Sequence, residues 1–185
     1  MKKIIAAQQS YAKTKGLSEV CSLEEIVETA LEIAGIRLRD ANIEVVKDCG
    51  DLRPGLFDRH QILQILVNLI GNARHALQES ARPQKTLTIT AAEDSEGFVL
   101  EVRDNGIGIA PENLPKVFTH GFTTKKTGHG FGLHNCANAA QEMDGSLTAF
   151  SDGPGQGARF VLRLPAQPAE TGARETGSYG RSPHV

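Results

Sequence analysis

Apolar residues recur at helical spacing in three long stretches of this 185-residue chain and alternate with polar ones in several short stretches. In the first stretch Leu23, Ile26, Val27, Ala30, Leu31 and Ala34 fall on one side, with Glu24, Glu28 and Glu32 opposite. Ser22-Leu23-Glu24-Glu25 ahead of it has the form of a capping box, so a helix is predicted over about 23 to 38. The longest helix is predicted from Asp58 to Glu79, where Ile62, Ile65, Leu66, Leu69, Ile70, Ala73, Ala76 and Leu77 make a wide apolar face. Leu133, Cys136, Ala137, Ala140 and Met143 define a third, closed by Gly145. Asn42–Lys47, Leu87–Ala92, Phe98–Arg103, Ser146–Ser151 and Arg159–Leu164 read as strands. Asp94-Ser95-Glu96-Gly97 joins two of them as a hairpin, Asp48–Arg53 reads as a turn, and Pro54–Phe57 is either a short strand or a link. Pro111–Phe118 is predicted as a short helix with proline in its first turn, and Gly121–Gly130 as a mobile loop. Strands outnumber what simple βαβ alternation would give. The expected fold is therefore α+β, a two-layer α/β sandwich with three main helices on one face of a mostly antiparallel mixed sheet.

Outside this body, residues 1–17 read as the end of a helix or as a plain N-terminal arm, suggesting a chain cut from something longer. Residues 18–165 form the domain, and 166–185 shift to Ala, Gly, Thr, Ser, Pro and mixed charge, expected to be disordered.

The polar side of the longest helix changes the picture. Gln61, Gln64, Asn68, Asn72 and His75 fall within roughly 80° of arc. A solvated face is usually Lys and Glu, and five neutral hydrogen-bonding groups in one stripe instead suggest the wall of a cavity. A second signal is Asp104-Asn105-Gly106-Ile107-Gly108-Ile109, a carboxylate at the end of a predicted strand running into two glycines. A third is Gly128-His129-Gly130-Phe131-Gly132-Leu133, just before the third helix. Glycine lets backbone N–H groups approach a bound group, and a helix N-terminus adds unpaired donors that suit phosphate. An acid for a hydrogen-bonding head group and a glycine-lined site for a polyanion are together what a nucleotide requires.

Composition removes other classes. The net charge of −2 gives no basic surplus to argue for nucleic acid as a main partner. Cys21, Cys49 and Cys136 are scattered without metal spacing and read as reduced thiols in a cytoplasmic setting. No apolar run suits a signal peptide or approaches the roughly 20 residues of a membrane-spanning helix, although a longer parent chain could be membrane-anchored.

With these motifs in place a family resemblance emerges. Asn68-Leu69-Ile70-Gly71-Asn72-Ala73 resembles the N box of the histidine-kinase, gyrase, Hsp90 and MutL ATPases, and Asp104–Ile109 their first glycine box. Phe118–Thr124 is similar to the phenylalanine box, Gly128–Leu133 to the second glycine box, and Gly153–Leu164 to the closing segment of histidine kinases. The ordered match covers roughly residues 18–165. Phe122-Thr123-Thr124-Lys125-Lys126 and the short lid resemble sensor kinases of the nitrogen-regulation and dicarboxylate-sensor type.

The resemblance implies the Bergerat fold, ATP and Mg²⁺ as ligands, and a role for each matched residue. Asn72 would ligate the metal through its side-chain oxygen and Asn68 would support it; these two are the candidate catalytic residues. Asp104 would accept a hydrogen bond from the adenine amino group, although an Asp before Asn-Gly also starts turns. Gly106 and Gly108 would let the backbone pass close to the base while Ile109 packs on it. Thr123, Lys125 and Lys126 on the lid would meet phosphates or belong to a solvated loop, and for Lys126 the solvated loop is favoured. Gly128, Gly130 and Gly132 would line the phosphate site, and Phe131 and Leu133 would hold the lid. His75 would reach a phosphate, with Arg74 as its competitor, and His129 is either a phosphate contact or an exposed loop residue. ATP-hydrolysing branches of the superfamily carry Glu where this chain has Asn68. An amide is no general base near neutral pH, which favours transfer to an acceptor over attack by water.

Two departures stand out. Gly155-Gln156-Gly157-Ala158 lacks the Thr often found after that Gly-x-Gly, which puts one adenine contact in doubt. No histidine followed by an acid lies ahead of the domain, so the phosphoacceptor is expected on a separate helical dimerisation domain, and a response-regulator receiver downstream of it. The isolated domain is expected to be monomeric, with neither nucleic acid nor membrane as a partner. The alternatives within reach of the sequence are an anti-sigma-type Ser/Thr kinase of the same fold and a non-catalytic nucleotide-sensing docking module.

Overall fold

The computed structural model describes residues 18–125 and 128–166. The readings of residues 1–17, of Lys126 and of the tail beyond 166 lie outside the described residues.

The chain folds as β1 (Glu19–Cys21), α1 (Leu23–Asp40), β2 (Ile43–Cys49), β3 (Gly55–Phe57), α2 (Arg59–Glu79), β4 (Lys85–Asp94), β5 (Gly97–Asp104), α3 (Gly132–Glu142), β6 (Ser146–Phe150) and β7 (Ala158–Pro165). Five strands make one sheet in the order β2-β4-β5-β7-β6. β2 and β4 are parallel, joined by the α2 crossover, and the other pairs are antiparallel. Strands β1 and β3 form a separate antiparallel pair. This is the two-layer α+β sandwich, with its mixed sheet and three helices, that the sequence predicts.

The layers hold together by burying one stripe of each element. Leu23, Ile26, Val27 and Ala30 of α1 and Ile62, Ile65, Leu66 and Leu69 of α2 are essentially fully buried. They face Leu87 and Ile89 of β4, Leu100 of β5 and Leu162 of β7. Such a large aliphatic side chain is worth about 1.5–3 kcal/mol when removed from water. The alternation along β5 has a direct consequence for chemistry. Phe98, Leu100 and Val102 point inward, and Asp104, two residues further, takes the next inward position at 4% exposure. A strand with period two thus carries a carboxylate into the layer between sheet and helices.

Several local predictions shift. Pro111–Phe118 is not a regular helix: only Leu114–Lys116 forms a single 3₁₀ turn. Pro115 inside the segment has no N–H to donate and its ring blocks helical continuation. Strand β2 runs through Asp48 and Cys49, read from sequence as part of a turn, because each finds a partner on β4, Thr90 and Ala91. β1 is too short to show a period, and its pairing with β3 makes Gly55–Phe57 a strand rather than a link. Ser22 does cap α1, but its hydroxyl accepts from the Glu24 N–H at 3.2 Å. At the end of α3 the left-handed residue is Asp144, with φ 57°, not Gly145. The Asp144 N–H donates to Gln141 and the Gly145 N–H to Ala140, which together form a Schellman closure. Gly145 has another reason to be glycine: a Cβ there would lie 2.3 Å from the carbonyl oxygen of Arg163.

Candidate functional site

Between α2, the end of β5 and the segment ahead of α3 lies a cavity of about 560 Å³. Of the residues that sequence points to, Asn68, Asn72 and His75 from α2 line it, with Asp104, Gly108 and Ile109 from the end of β5. Thr123, Lys125, Gly128, His129, Gly130, Phe131, Gly132 and Leu133 line it from the other side. Gly106 does not line the cavity. It is buried beneath it, where a Cβ would lie 2.6 Å from the Ala76 backbone carbon, and the next N–H, of Ile107, donates to the Ala76 carbonyl at 3.2 Å. That glycine lets β5's exit press against α2, which brings Asp104 and the amide stripe to one place.

The stripe itself is only half in the cavity. Gln61 turns back to Asp58, the N-cap of α2: the Asp58 carboxylate accepts from the Gln61 N–H and the Gln61 side-chain amide, both at 3.0 Å. Gln64 is exposed and does not line the cavity. The cavity takes in the C-terminal half of the helix, and there the stripe extends one step beyond the sequence reading, to Glu79, which continues the 68-72-75-79 series. Following the 3–4 spacing one turn further would have found it. Asn113, Val117 and Phe160 also line the cavity. Phe160 is an inward residue of β7 and packs edge-on against Phe118, with ring centroids 6.4 Å apart.

At the deep end, Asp104 is held by its own turn. Its carboxylate accepts from the Gly106 N–H at 2.8 Å. Burial pushes its pKa up from the usual 3.8 to about 6, against the opposing pull of the backbone N–H groups of Gly106 and Ala158. Ala158 sits opposite Asp104 across the β5–β7 ladder and lines the cavity with a methyl group. This is the position where the sequence lacks the family's Thr. The closing turn buttresses the region from behind: the Ser151 hydroxyl accepts from the Ile109 N–H at 3.0 Å and donates to the Gly157 carbonyl at 2.6 Å.

At the other end, Lys125 reaches from the lid to Asn72, with its ammonium 2.5 Å from Asn72 Oδ1. Lysine can only donate, so this contact fixes the amide: oxygen toward the cavity and Nδ2 toward Asn68, whose Oδ1 accepts at 3.1 Å. Asn68 is in turn boxed in by the start of α3, because a Cβ on Gly132 would stand 2.7 Å from Asn68 Nδ2. Desolvation lowers the Lys125 pKa, with Arg74 pushing the same way and Glu79 opposing. An oxygen that already attracts an ammonium fits a small hard cation. Magnesium takes oxygen ligands, keeps most of its waters and asks for few protein groups, which suits a site offering one oriented amide oxygen.

The lid closes on itself at its base. The Gly121 N–H donates to the Gly130 carbonyl at 3.1 Å, and Gly130 has φ 72° with no space for a Cβ beside Gly121. His120 packs on Phe131 at 4.8 Å and against His134 at 5.1 Å, while His134 is anchored to the Phe118 carbonyl and to Asn138. His129 is exposed and stacks on Phe131 with ring centroids 6.4 Å apart. Helix α3 begins without a side-chain cap, so its first N–H groups at Gly132 and Leu133 are donors on the cavity wall.

The place of Gly132 yields a testable expectation. In Gly132→Ala the new methyl meets the end of a flexible side chain, so the cost falls on the site more than on the fold. Affinity for the cavity's ligand is expected to fall about tenfold, as the loss of one oriented hydrogen bond implies, with melting changed by a few degrees at most. Equal ligand affinity in variant and parent would remove the Gly132–Asn68 contact from the site.

Comparison with known proteins gives this geometry a family. The histidine kinase-, DNA gyrase B- and HSP90-like ATPase family matches residues 57–168. Sensor protein FixL of Bradyrhizobium diazoefficiens is 37% identical over 158 residues, covering 84% of this chain and 30% of its own length. The C4-dicarboxylate transport sensor protein DctB of Pseudomonas aeruginosa is 35% identical, covering 80% of this chain and 24% of its own. The chain thus spans less than a third of either relative. Among solved structures, the catalytic domain of histidine kinase ThkA superposes with TM-score 0.72 at 24% identity, covering 82% of this chain and 99% of that one. Full-length ShkA in complex with AMPPNP gives 0.71 at 23% identity, covering 88% of this chain and 35% of that one. At such identities these two likenesses speak to the fold. Among the described residues no helix is long and apolar enough to cross a membrane. With a family match from residue 57, the end of β3, through β7, and sensor proteins such as FixL and DctB among its relatives, the chain belongs to the histidine kinase-, DNA gyrase B- and HSP90-like ATPase family, as an ATP-binding catalytic domain of the sensor histidine kinase type.

Proposed function

We propose that the domain holds Mg-ATP with its adenine at Asp104 and its phosphates between Asn72 and the lid. From there the γ-phosphoryl group is presented to a histidine on a separate helical dimerisation domain, and then passes to an aspartate on a response-regulator receiver. The observation that carries this reading is the arrangement of one cavity with a buried carboxyl at its deep end and a cation-seeking amide oxygen at the other. Asn72 would hold magnesium, which when bound would supply positive charge against the phosphates. The chain's own residues supply position. Asp104 and its turn fix the base, Asn68 orients Asn72, and the uncapped start of α3 offers N–H groups to phosphate.

Transfer is favoured over hydrolysis because, among the described residues, an amide, Asn68, and no carboxylate stands where water would be activated. Glu79, on the cavity wall, is three helical turns away, about 16 Å along α2. Labelled ATP, a dimerisation domain and a receiver mixed with this chain would test the reading. Acid-labile label on histidine is expected. Label on serine would replace it with a Ser/Thr kinase, and binding without any transfer would make it a docking module.

The raised pKa of Asp104 predicts a pH dependence with a definite sign. A donor on the base favours the ionised carboxylate, so nucleotide affinity is flat above pH 6 and falls below it, by about tenfold at pH 5. In the ligand-free domain the neutral form is the one favoured by folding. This group's contribution therefore favours the fold more at pH 4 than at pH 7, and is lost as pH rises toward 6. An affinity profile flat from pH 5 to pH 8 would separate Asp104 from the ligand.

A further inference from the structure

We propose that Lys125 is a built-in cation of the nucleotide site: its ammonium occupies the position in front of Asn72 when no metal is bound, lets the cavity hold a nucleoside triphosphate without Mg²⁺, and has to withdraw for Mg²⁺ to enter. The proposal rests on the reading of the cavity as a Mg-ATP site and says how that site manages its charge.

The geometry carries it. Asn72 Oδ1 is the oxygen that Asn68 and α2 aim into the cavity, and the Lys125 ammonium sits on it at 2.5 Å. The lysine's own backbone is tied down on both sides. Its N–H donates to the Thr123 hydroxyl at 3.1 Å, and its carbonyl accepts from the Gly128 N–H at 3.3 Å. A Cβ on Gly128 would lie 2.6 Å from Thr123 Oγ1 and 3.1 Å from the Lys125 Cβ, so glycine leaves room for both side chains. The lid therefore delivers a half-buried positive charge to the metal's expected ligand. An ammonium and a divalent cation both at contact distance from one amide oxygen would stand within a few ångströms of each other, where like charges repel strongly. Both can neutralise a triphosphate. The two cations are therefore alternatives at one place, and the lysine has to leave Asn72 Oδ1 before a metal uses it.

The readout is the factor by which Mg²⁺ raises ATP affinity, measured by calorimetry on the full chain with Mg²⁺ and with EDTA in its place. In Lys125→Met, which keeps the stem and removes the charge, metal-free ATP affinity should fall about tenfold, the size of one charge-assisted hydrogen bond to phosphate, and Mg-ATP affinity by a clearly smaller factor. The enhancement by Mg²⁺ then grows severalfold. Lys125→Arg, retaining a charge at that reach, should bring it back toward the parent value. Equal losses with and without metal would make Lys125 a plain phosphate contact and overturn the proposal, as would an unchanged affinity in both. If the parent chain, folded, bound ATP under neither condition, the reading of the cavity itself would fail, and the proposal with it.

Discussion

Asp104→Ala is expected to weaken adenine-nucleotide binding about a hundredfold while leaving the domain folded and, at neutral pH, no less stable. The carboxyl lies inward on β5 in line with Phe98, Leu100 and Val102, so ionising it costs the ligand-free protein free energy. A pKa lifted from 3.8 to about 6, with the opposing bond donated by Gly106 already included, corresponds to about 3 kcal/mol at pH 7. Only a bound group that donates to the carboxylate recovers that cost. Removing the carboxyl should therefore lower ATP affinity by about a hundredfold, as expected for losing a buried charge-assisted hydrogen bond. The same change should raise the melting temperature slightly or leave it alone. A fluorescent ATP analogue and thermal unfolding, run side by side, read both. Intact affinity would take Asp104 out of the site. A collapsed fold would mean that the carboxyl serves structure, and Asp104→Asn, which keeps an acceptor for Gly106, would then separate the two roles.

The second large effect is expected at Asn72. Asn72→Ala deletes the oxygen on which Lys125 rests and which the proposed metal would use, and leaves Asn68 Oδ1 without its donor. ATP affinities with and without Mg²⁺ should converge, and phosphoryl transfer to a supplied dimerisation domain should fall by about a hundredfold, the scale of losing one positioned electrostatic group in a transition state. Asn72→Asp restores an oxygen and adds charge, so metal-dependent binding should recover more than transfer does. Equal losses with and without metal in Asn72→Ala would contradict the assigned role.

How much of this was legible beforehand follows from range. The faces of α1, α2 and α3 are local periodicities, and so is the alternation that carries Asp104 inward; each can be read from a dozen residues. The glycine clusters announce a close approach, but not what approaches. Gly106 makes room for Ala76 and Gly132 for Asn68, contacts between segments distant in sequence. The Lys125–Asn72 contact spans 53 residues, and no pattern in either segment foretells it. The amide stripe forms a cavity wall only along its C-terminal half, because Gln61 belongs to the cap of its own helix and Gln64 is exposed. The helix expected at 111–118 follows from a proline in its first turn, but a second proline, Pro115, limits the segment to one 3₁₀ turn.

The measurement closest to the centre of the account is a calorimetric titration of the parent chain with the Mg²⁺ complex of a non-hydrolysable ATP analogue at pH 7.5. One site per chain is expected, with the Mg²⁺ complex of the corresponding guanine analogue giving little or no heat. A folded sample that shows no heat with the adenine compound, or equal heat with both, would contradict a cavity built around an adenine at Asp104 and a metal at Asn72.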